Sequence, residues 1–182
     1  MLSNREVLLN ILKTLSYEEG EFVLASGKTS SFYIDAKETT LNPEGMHLVG
    51  DIMYRMVREI PDIEAVGGVS VGGDPLVCST VLSSFVAKDN LLGFLIRKEP
   101  KGHGKNLWIE GGKNLKRGMH VVILEDVVTT GGSSLKAIES TEKEGYKVRA
   151  VIALLDRLDG GRAMIESKGY IFRSIFDLND LR

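Results

Sequence analysis

The sequence has few cysteines and histidines and no long apolar run, and each shortage excludes a class of protein. Among 182 residues only Cys78 is a cysteine, which excludes an internal disulfide and an all-cysteine metal site. The three histidines, at 47, 103 and 120, lack the spacing of a zinc motif. No apolar run approaches the roughly 18 residues of a membrane span, and the N-terminus lacks the apolar core of a signal peptide. We therefore expect a cytoplasmic protein with no membrane partner.

Neither sign of charge is in excess. Lys and Arg number 23 and Asp and Glu number 25, giving a net charge of -2, so we expect no nucleic-acid partner. Hydrophobic residues make up 43% of the chain, which suffices for a packed core. No repeat or low-complexity linker divides the sequence, so we expect one domain over residues 1–182. Glycine, with 20 residues, is the abundant type, and its clusters mark the loops of interest.

The order of apolar patterns predicts an α/β fold. A capping box over residues 3–6 and an Asn-Pro pair at 42–43 each open an amphipathic helix. From residue 64 onward, short apolar runs alternate with helical patterns, and the runs at 119–124 and 148–155 are typical of strands buried on both faces. We expect a central parallel sheet flanked by helices, with ligands bound beyond the carboxyl ends of the strands.

The loop after the apolar run at 119–124 has the composition of a phosphate site. Two acids, Glu125 and Asp126, precede a Thr-Thr-Gly-Gly-Ser stretch at 129–133, and a helix follows. Converging backbone N–H groups, hydroxyls and a helix N-terminus suit a phosphate. The acids would repel a phosphate and instead suit sugar hydroxyls, a cation, or both. The alternative interpretation is a helix-capping turn with surface acids.

Residues 97–112, here called the basic loop, combine glycines with positive charge. Between 97 and 105 four Lys or Arg residues and one His accompany a single acid. Such a concentration suggests an anionic partner, and the glycines ease the backbone movement of a lid. A solvated charged hairpin is the alternative. Asp156-Arg157, at the end of the run 148–155, is either a strand-ending ion pair or part of a binding site.

Together these motifs resemble those of a known enzyme family. The stretch 121–134 resembles the phosphoribosyl-pyrophosphate (PRPP) signature of the type I phosphoribosyltransferases. The Arg-Lys-Glu-x-Lys-x-His-Gly segment from residue 97, with the later Ile-Glu-Gly, resembles the catalytic loop of orotate phosphoribosyltransferases. The resemblance covers nearly the whole chain. It implies transfer of the phosphoribosyl group of PRPP to orotate, giving orotidine 5′-monophosphate and pyrophosphate in pyrimidine biosynthesis.

The resemblance also implies roles for individual residues. Lys101, His103 and Asp126 would be the catalytic residues, and Thr129 with Arg157 would recognise orotate. Mg²⁺ is the expected cofactor, held mainly by pyrophosphate and ribose oxygens rather than by protein ligands. Arg97 would act from the neighbouring subunit of a homodimer. The residues expected to bind PRPP are Arg97, Lys98, Lys101, His103, Glu125, Asp126, Val127, Val128, Thr129, Thr130, Gly131, Gly132 and Ser133.

The N-terminal part of the chain also resembles this family. Residues 22–35 are similar to a segment that folds as a hood over the base, so residues 1–40 would contribute a helix and the hood. Lys28, Phe32 and Tyr33 are candidate pocket residues, although buried aromatic residues more often belong to a core. Many family members carry Tyr-Lys where this chain has Val71-Gly72, and a lysine where it has Ala25.

Two rival functions stay open at this point. The first is a phosphoribosyltransferase for another base, such as a purine. The second is a non-enzymatic regulator that senses PRPP. A plain interaction module is less suitable, because it gives no reason for two acids beside a phosphate loop.

Overall fold

A computed structural model of the protein describes residues 2–23, 27, 29–99 and 108–182. The N-terminal elements begin at local capping signals. Helix α1, Asn4–Leu15, has the predicted capping box, in which the Glu6 carboxylate accepts a hydrogen bond of 2.7 Å from the Ser3 backbone N–H. The Asn42 side chain caps the predicted second helix, Pro43–Arg58. Between these helices lie an antiparallel hairpin, β1 (Tyr17–Val23) and β2 (Thr29–Ile34), and a short helix α2, Ala36–Thr40, which the sequence did not predict. The helix at Pro43–Arg58 is therefore α3.

The rest of the chain alternates between strands and helices, as predicted. Its sheet has six strands in the order β5-β4-β3-β6-β7-β8. The remaining elements are β3 (Ala65–Val69), α4 (Gly73–Val86), β4 (Leu92–Ile96), β5 (Ile109–Glu110), β6 (His120–Val128), α5 (Gly132–Lys143), β7 (Lys147–Asp156), α6 (Gly161–Glu166), β8 (Ile171–Asp177) and α7 (Leu178–Leu181).

The sheet is parallel except at one edge. The pairs β3–β4, β3–β6, β6–β7 and β7–β8 are parallel, whereas β5 pairs antiparallel with β4. In that pair Leu95 lies opposite Glu110 and Ile96 opposite Ile109. The backbone N–H of Arg97 continues this pairing by donating to the Trp108 carbonyl at 2.8 Å. The two arms of the basic loop are thus joined at its base.

Both faces of the sheet are covered, and strand β6 contributes to both layers. Val122 and Leu124 pack in the layer that includes α1, α3 and α4. Val121 and Ile123 pack in the layer that includes α5 and α6. This alternation fixes the directions of the acids that follow, because successive strand side chains point to opposite faces. No helix in the described part of the chain has the length and apolar character needed to cross a membrane.

Candidate active site

Residues 129–133, here called the phosphate loop, connect β6 to α5 and remain accessible. Thr130, Gly132 and Ser133 are exposed, whereas Gly131 is buried with φ of +81°. The loop is braced from behind by the turn at 160–161, since the Gly161 N–H donates to the Thr129 carbonyl at 2.8 Å. A Cβ at Gly161 would lie only 2.5 Å from that carbonyl oxygen, so the close approach requires glycine. The result is an open backbone loop at the N-terminus of a twelve-residue helix.

The two acids occupy opposite faces of β6. Glu125 points toward α5 and is 5% exposed, and its carboxylate accepts a 2.9 Å hydrogen bond from the Ser134 hydroxyl. Burial raises the pKa of Glu125 to about 7, with a further contribution from the nearby Asp126 charge. Asp126 is half-buried on the other face, where its carboxylate accepts a 2.8 Å hydrogen bond from the Val127 N–H. Asp126 is therefore the more open of the two acids.

A lysine from a different element lies near each acid. Lys98, just past the end of β4, lowers the pKa of Glu125 by its charge. Lys37, on α2, has its pKa raised by Asp35 and Asp126. Sequence reasoning predicted Lys98 but missed Lys37, because only the packing of α2 against β6 brings Lys37 toward Asp126. The single feature of the sequence that could have pointed to Lys37 is its position two residues after Asp35, the residue that caps α2.

The end of β7 places Arg157 beside the hood. Val128 and Asp156 are paired in register, so Thr129 and Arg157 leave the sheet as neighbours. The Arg157 guanidinium lies over the Phe32 ring, 4.8 Å from its centroid, and the Arg157 side chain is 14% exposed. Its Nε lies 3.4 Å from the Asp159 carboxylate, an ion pair without hydrogen-bond geometry among the described residues. The set of Phe32, Thr129 and Arg157, here called the base pocket, thus offers a partly desolvated guanidinium and an aromatic ring.

Comparison with known proteins identifies the family, although no protein-family model matches the chain. An orotate phosphoribosyltransferase from Sorangium cellulosum is 46% identical over 167 residues, covering 92% of this chain and 87% of the relative. One from Aquifex aeolicus is 42% identical over 185 residues, covering 100% of this chain and 99% of the relative. The crystal structure of the Mycobacterium tuberculosis enzyme in complex with PRPP has a TM-score of 0.82 at 28% identity, covering 98% of this chain and 99% of that one. The chain belongs to the orotate phosphoribosyltransferase family.

Membership of the orotate phosphoribosyltransferase family confirms several predictions from the sequence. The family itself, the type I phosphoribosyltransferase fold and the enzyme class, a pentosyltransferase, are as expected. The roles assigned to individual residues and the extent of the domain, residues 1–182 with a hood formed by 1–40, stay predictions. Phe32 lies at the base pocket and is also buried, at 7% exposure, so it serves both pocket and core. Lys28 lies outside the described residues, and Tyr33 is exposed at 44%.

The structure describes only the two arms of the basic loop. Lys101 and His103 lie outside the described residues. The Arg97 guanidinium donates to the Glu110 carboxylate at 2.8 Å, across the β4–β5 pair. Arg97 and Lys98 also line a cleft of about 570 Å³, together with Trp108 and residues of α5. Ser133 of the phosphate loop borders this cleft, so the base of the basic loop opens beside the phosphate loop.

The acids supply only part of a divalent-cation site. Within the described residues no three His, Cys, Asp or Glu side chains come together in a way that could hold a metal ion. Glu125 is buried against Ser134, which leaves Asp126 as the accessible carboxylate of the pair. Mg²⁺ favours a few protein carboxylates together with substrate oxygens and waters. The residues present fit a magnesium ion whose ligands come mostly from a bound phosphate compound.

Proposed function

We propose that the protein transfers the phosphoribosyl group of PRPP to orotate, giving orotidine 5′-monophosphate and pyrophosphate, a step of UMP biosynthesis in the cytoplasm. One observation carries the proposal. The Asp126 carboxylate, the open phosphate loop and Arg157 all lie at the carboxyl ends of β6 and β7, and Phe32 packs against Arg157 there. A phosphate, a sugar diol and an anionic base each find a matching group there. The M. tuberculosis relative, in its PRPP complex, supports the same substrate.

The phosphate loop would bind the 5′-phosphate of PRPP. Thr130, Gly132 and Ser133 of this loop are exposed, and the N-terminus of α5 favours negative charge. Asp126 would accept hydrogen bonds from the ribose hydroxyls, with Glu125 behind it. Val127 and Val128 would contact PRPP through their backbone atoms. When bound, Mg²⁺ would neutralise charge on the pyrophosphate, held by pyrophosphate and ribose oxygens with Asp126 nearby.

Arg157 and Thr129 would bind orotate. A guanidinium pairs in a bidentate manner with a carboxylate or a carbonyl edge, and orotate carries both. Phe32, which lies under the guanidinium, holds it in place and excludes water. The Arg157 guanidinium is 14% exposed, and its ion pair with the half-exposed Asp159, at 3.4 Å, lacks hydrogen-bond geometry, so its donors remain suited to an anionic ligand.

The basic loop would act on the leaving group. Pyrophosphate departs from the ribose with several negative charges, and cations aimed at it stabilise the transition state. Lys98, Lys101 and His103 would supply these cations from the same subunit, and Arg97 from the neighbouring one. The chemistry is displacement at the anomeric carbon, so the protein's task is to position two substrates and exclude water.

A second copy of the chain would complete the site. Helix α4 has no charged side chain after Asp74, and its outer face is apolar. Leu82, Phe85 and Val86 are 63%, 75% and 74% exposed, a patch that a monomer rarely leaves in water. A two-fold axis lets one apolar patch cover its own copy. We therefore propose a homodimer in which Arg97 of one subunit serves the site of the other.

Substrate assays test the proposed activity. We expect steady-state turnover with orotate and release of pyrophosphate, and little with uracil, hypoxanthine or adenine. Arg157→Ala should raise KM for orotate by one to two orders of magnitude and leave KM for PRPP within about twofold, since a charge-assisted hydrogen bond contributes about 1.5–3 kcal/mol. Preference for another base would refute the assignment, and binding of PRPP without turnover would favour a regulator.

Subunit mixing tests the shared site. Arg97→Ala and Lys101→Ala proteins should each be inactive, and a mixture should recover up to about a quarter of the wild-type activity, since random pairing makes half of the dimers hybrid with one intact site each. Labelled subunits would show that exchange has occurred. No recovery despite exchange would contradict the role of Arg97 across the interface.

A further inference from the structure

The loop after β3 supplies no positive charge to the site. Residues 70–73 are Ser-Val-Gly-Gly, and the Ser70 hydroxyl is occupied by donating to the Asp74 carboxylate at 2.7 Å. Gly72 packs directly against Asp126, so that a Cβ at position 72 would overlap the Asp126 carboxylate. A longer side chain at position 72 is therefore incompatible with the observed position of Asp126. The cation on this side of Asp126 must come from another element.

Lys37, on α2, is a cation on that side of Asp126. Its ammonium group donates to the Asp35 carboxylate at 2.6 Å, and the same oxygen accepts the Lys37 backbone N–H at 3.0 Å. Asp35 is also the N-cap of α2, so its carboxylate is held by the backbone at the start of the helix. The carboxylate in turn holds the Lys37 ammonium group by a hydrogen bond. Helix α2 packs against β6, and its Ala36 lies in the layer of Val122 and Leu124, the face that also carries Asp126, whose charge acts on Lys37.

The electrostatic environment keeps Lys37 charged. The hydrogen bond from Lys37 to Asp35 raises the pKa of the ammonium group, and the charges of Asp35 and Asp126 raise it further against the effect of burial. Among the described residues the ammonium forms an ion pair with Asp35 alone. An ammonium has three N–H donors, so two are available to a ligand. Asp126 keeps its own oxygens for sugar hydroxyls.

We propose that Lys37 binds PRPP on its ribose and pyrophosphate side and supplies the charge that the loop at 70–73 lacks. This inference rests on the proposed position of PRPP. If Asp126 holds the ribose hydroxyls, an ammonium beside it lies against the ribose and the pyrophosphate attached to C1. Lys37 and Lys98 then approach the substrate from two sides, one from the hood and one from the basic loop. The competing view is that Lys37 only stabilises α2 through Asp35.

A charge-removing variant with a matched control separates these views. Lys37→Gln should weaken PRPP binding in the presence of Mg²⁺ about tenfold or more, measured by isothermal titration calorimetry without orotate. KM for orotate should change by less than about twofold, and the thermal midpoint should match that of wild type. Lys147→Gln removes the same charge at the amino end of β7, the opposite edge of the sheet, and should leave PRPP binding unchanged. Lys37→Arg should keep most of the affinity.

The possible contrary results point to different errors. If Lys37→Gln binds PRPP as tightly as wild type while Asp126→Asn binds it weakly, the inference about Lys37 is wrong and the proposed position of PRPP stands. If neither variant weakens PRPP binding, the position of PRPP itself is wrong. A fall in thermal midpoint with equal loss of affinity for both substrates would assign Lys37 to the stability of α2 and overturn its role in binding.

Discussion

Replacing Glu125 with glutamine should stabilise the protein at alkaline pH far more than at acidic pH. Glu125 is 5% exposed, and burial raises its pKa from 4.5 to about 7. In the unfolded chain the carboxyl group ionises near its ordinary value, so between pH 4.5 and 7 the folded state keeps a proton that the unfolded state has released. The stability linked to this proton is present in full below the pKa of the unfolded chain and is lost as the pH rises to about 7.

The size of the effect follows from the two pKa values. One pH unit corresponds to about 1.4 kcal/mol, so the gap between 4.5 and about 7 amounts to roughly 3–4 kcal/mol, of which roughly 2–3 kcal/mol falls between pH 5 and pH 8. Glutamine carries no charge and keeps an acceptor for the Ser134 hydroxyl. Relative to wild type, Glu125→Gln should therefore gain roughly 2–3 kcal/mol in unfolding free energy on going from pH 5 to pH 8.

Urea unfolding at both pH values measures this gain directly. Comparing the variant with wild type at each pH cancels the contribution of titrating groups that do not interact with Glu125. For a chain of this length the same change corresponds to a rise of about 5–10 °C in the relative thermal midpoint. Glu139→Gln is the matched control, because Glu139 is exposed and should show no gain with pH. If Glu125→Gln differs from wild type equally at pH 5 and pH 8, the carboxyl is not held protonated by burial, and the reasoning is refuted.

Three further predictions concern the loop at 70–73 and the basic loop. Gly72→Ala places a Cβ on the Asp126 carboxylate and should lower kcat/KM for PRPP at least tenfold. In the control Gly112→Ala the new Cβ would meet its nearest neighbours at 3.6 Å, so kcat/KM for PRPP should not fall. Equal kinetics for the two variants would contradict the close approach of Gly72 to Asp126. Lys101→Ala should reduce kcat by two orders of magnitude or more with a thermal midpoint within about 2 °C of wild type, and parallel losses would argue against a role confined to the leaving group. Trp108, the single tryptophan, lines the cleft at the base of the basic loop, so its fluorescence should change when PRPP and Mg²⁺ bind; an unchanged signal would count against movement of that loop.

Elements with strong local signals could be predicted from the sequence. Helices α1 and α3 carry their own caps, and β6 and β7 carry continuous apolar runs, so each was recognised without tertiary information. Helix α2, five residues long, and strand β5, two residues long, were missed. Elements this short are stabilised little by the intrinsic helix or strand propensity of their residues, and they form because of the elements against which they pack or pair. Strand β5 exists because the chain returns along the open edge of β4.

The residues of the candidate site could be predicted from the sequence, but the directions in which their side chains point could not. The apolar run suggested that the strand ends at Leu124, because two acids follow. In the structure β6 continues to Val128, since Val127 and Val128 still pair with β7. Only with that continuation do Glu125 and Asp126 point to opposite faces. The proximity of Lys37 to Asp126 likewise depends on α2 packing against β6, and no spacing in the sequence encodes it.

The neighbouring strands β6 and β7 end in the same way, and this explains how the site separates its two substrates. On β6 the buried Glu125 bonds to Ser134, and on β7 the fully buried Asp156 accepts a 2.9 Å hydrogen bond from the Leu158 N–H. Each buried carboxylate fixes the backbone that follows its strand. The next residue, Asp126 or Arg157, lies on the opposite side and is more open. Because these neighbours carry opposite charges, one strand end suits a neutral sugar diol and the other an anionic base. Exchanging charge at either position should therefore abolish binding of one substrate without creating a site for the other.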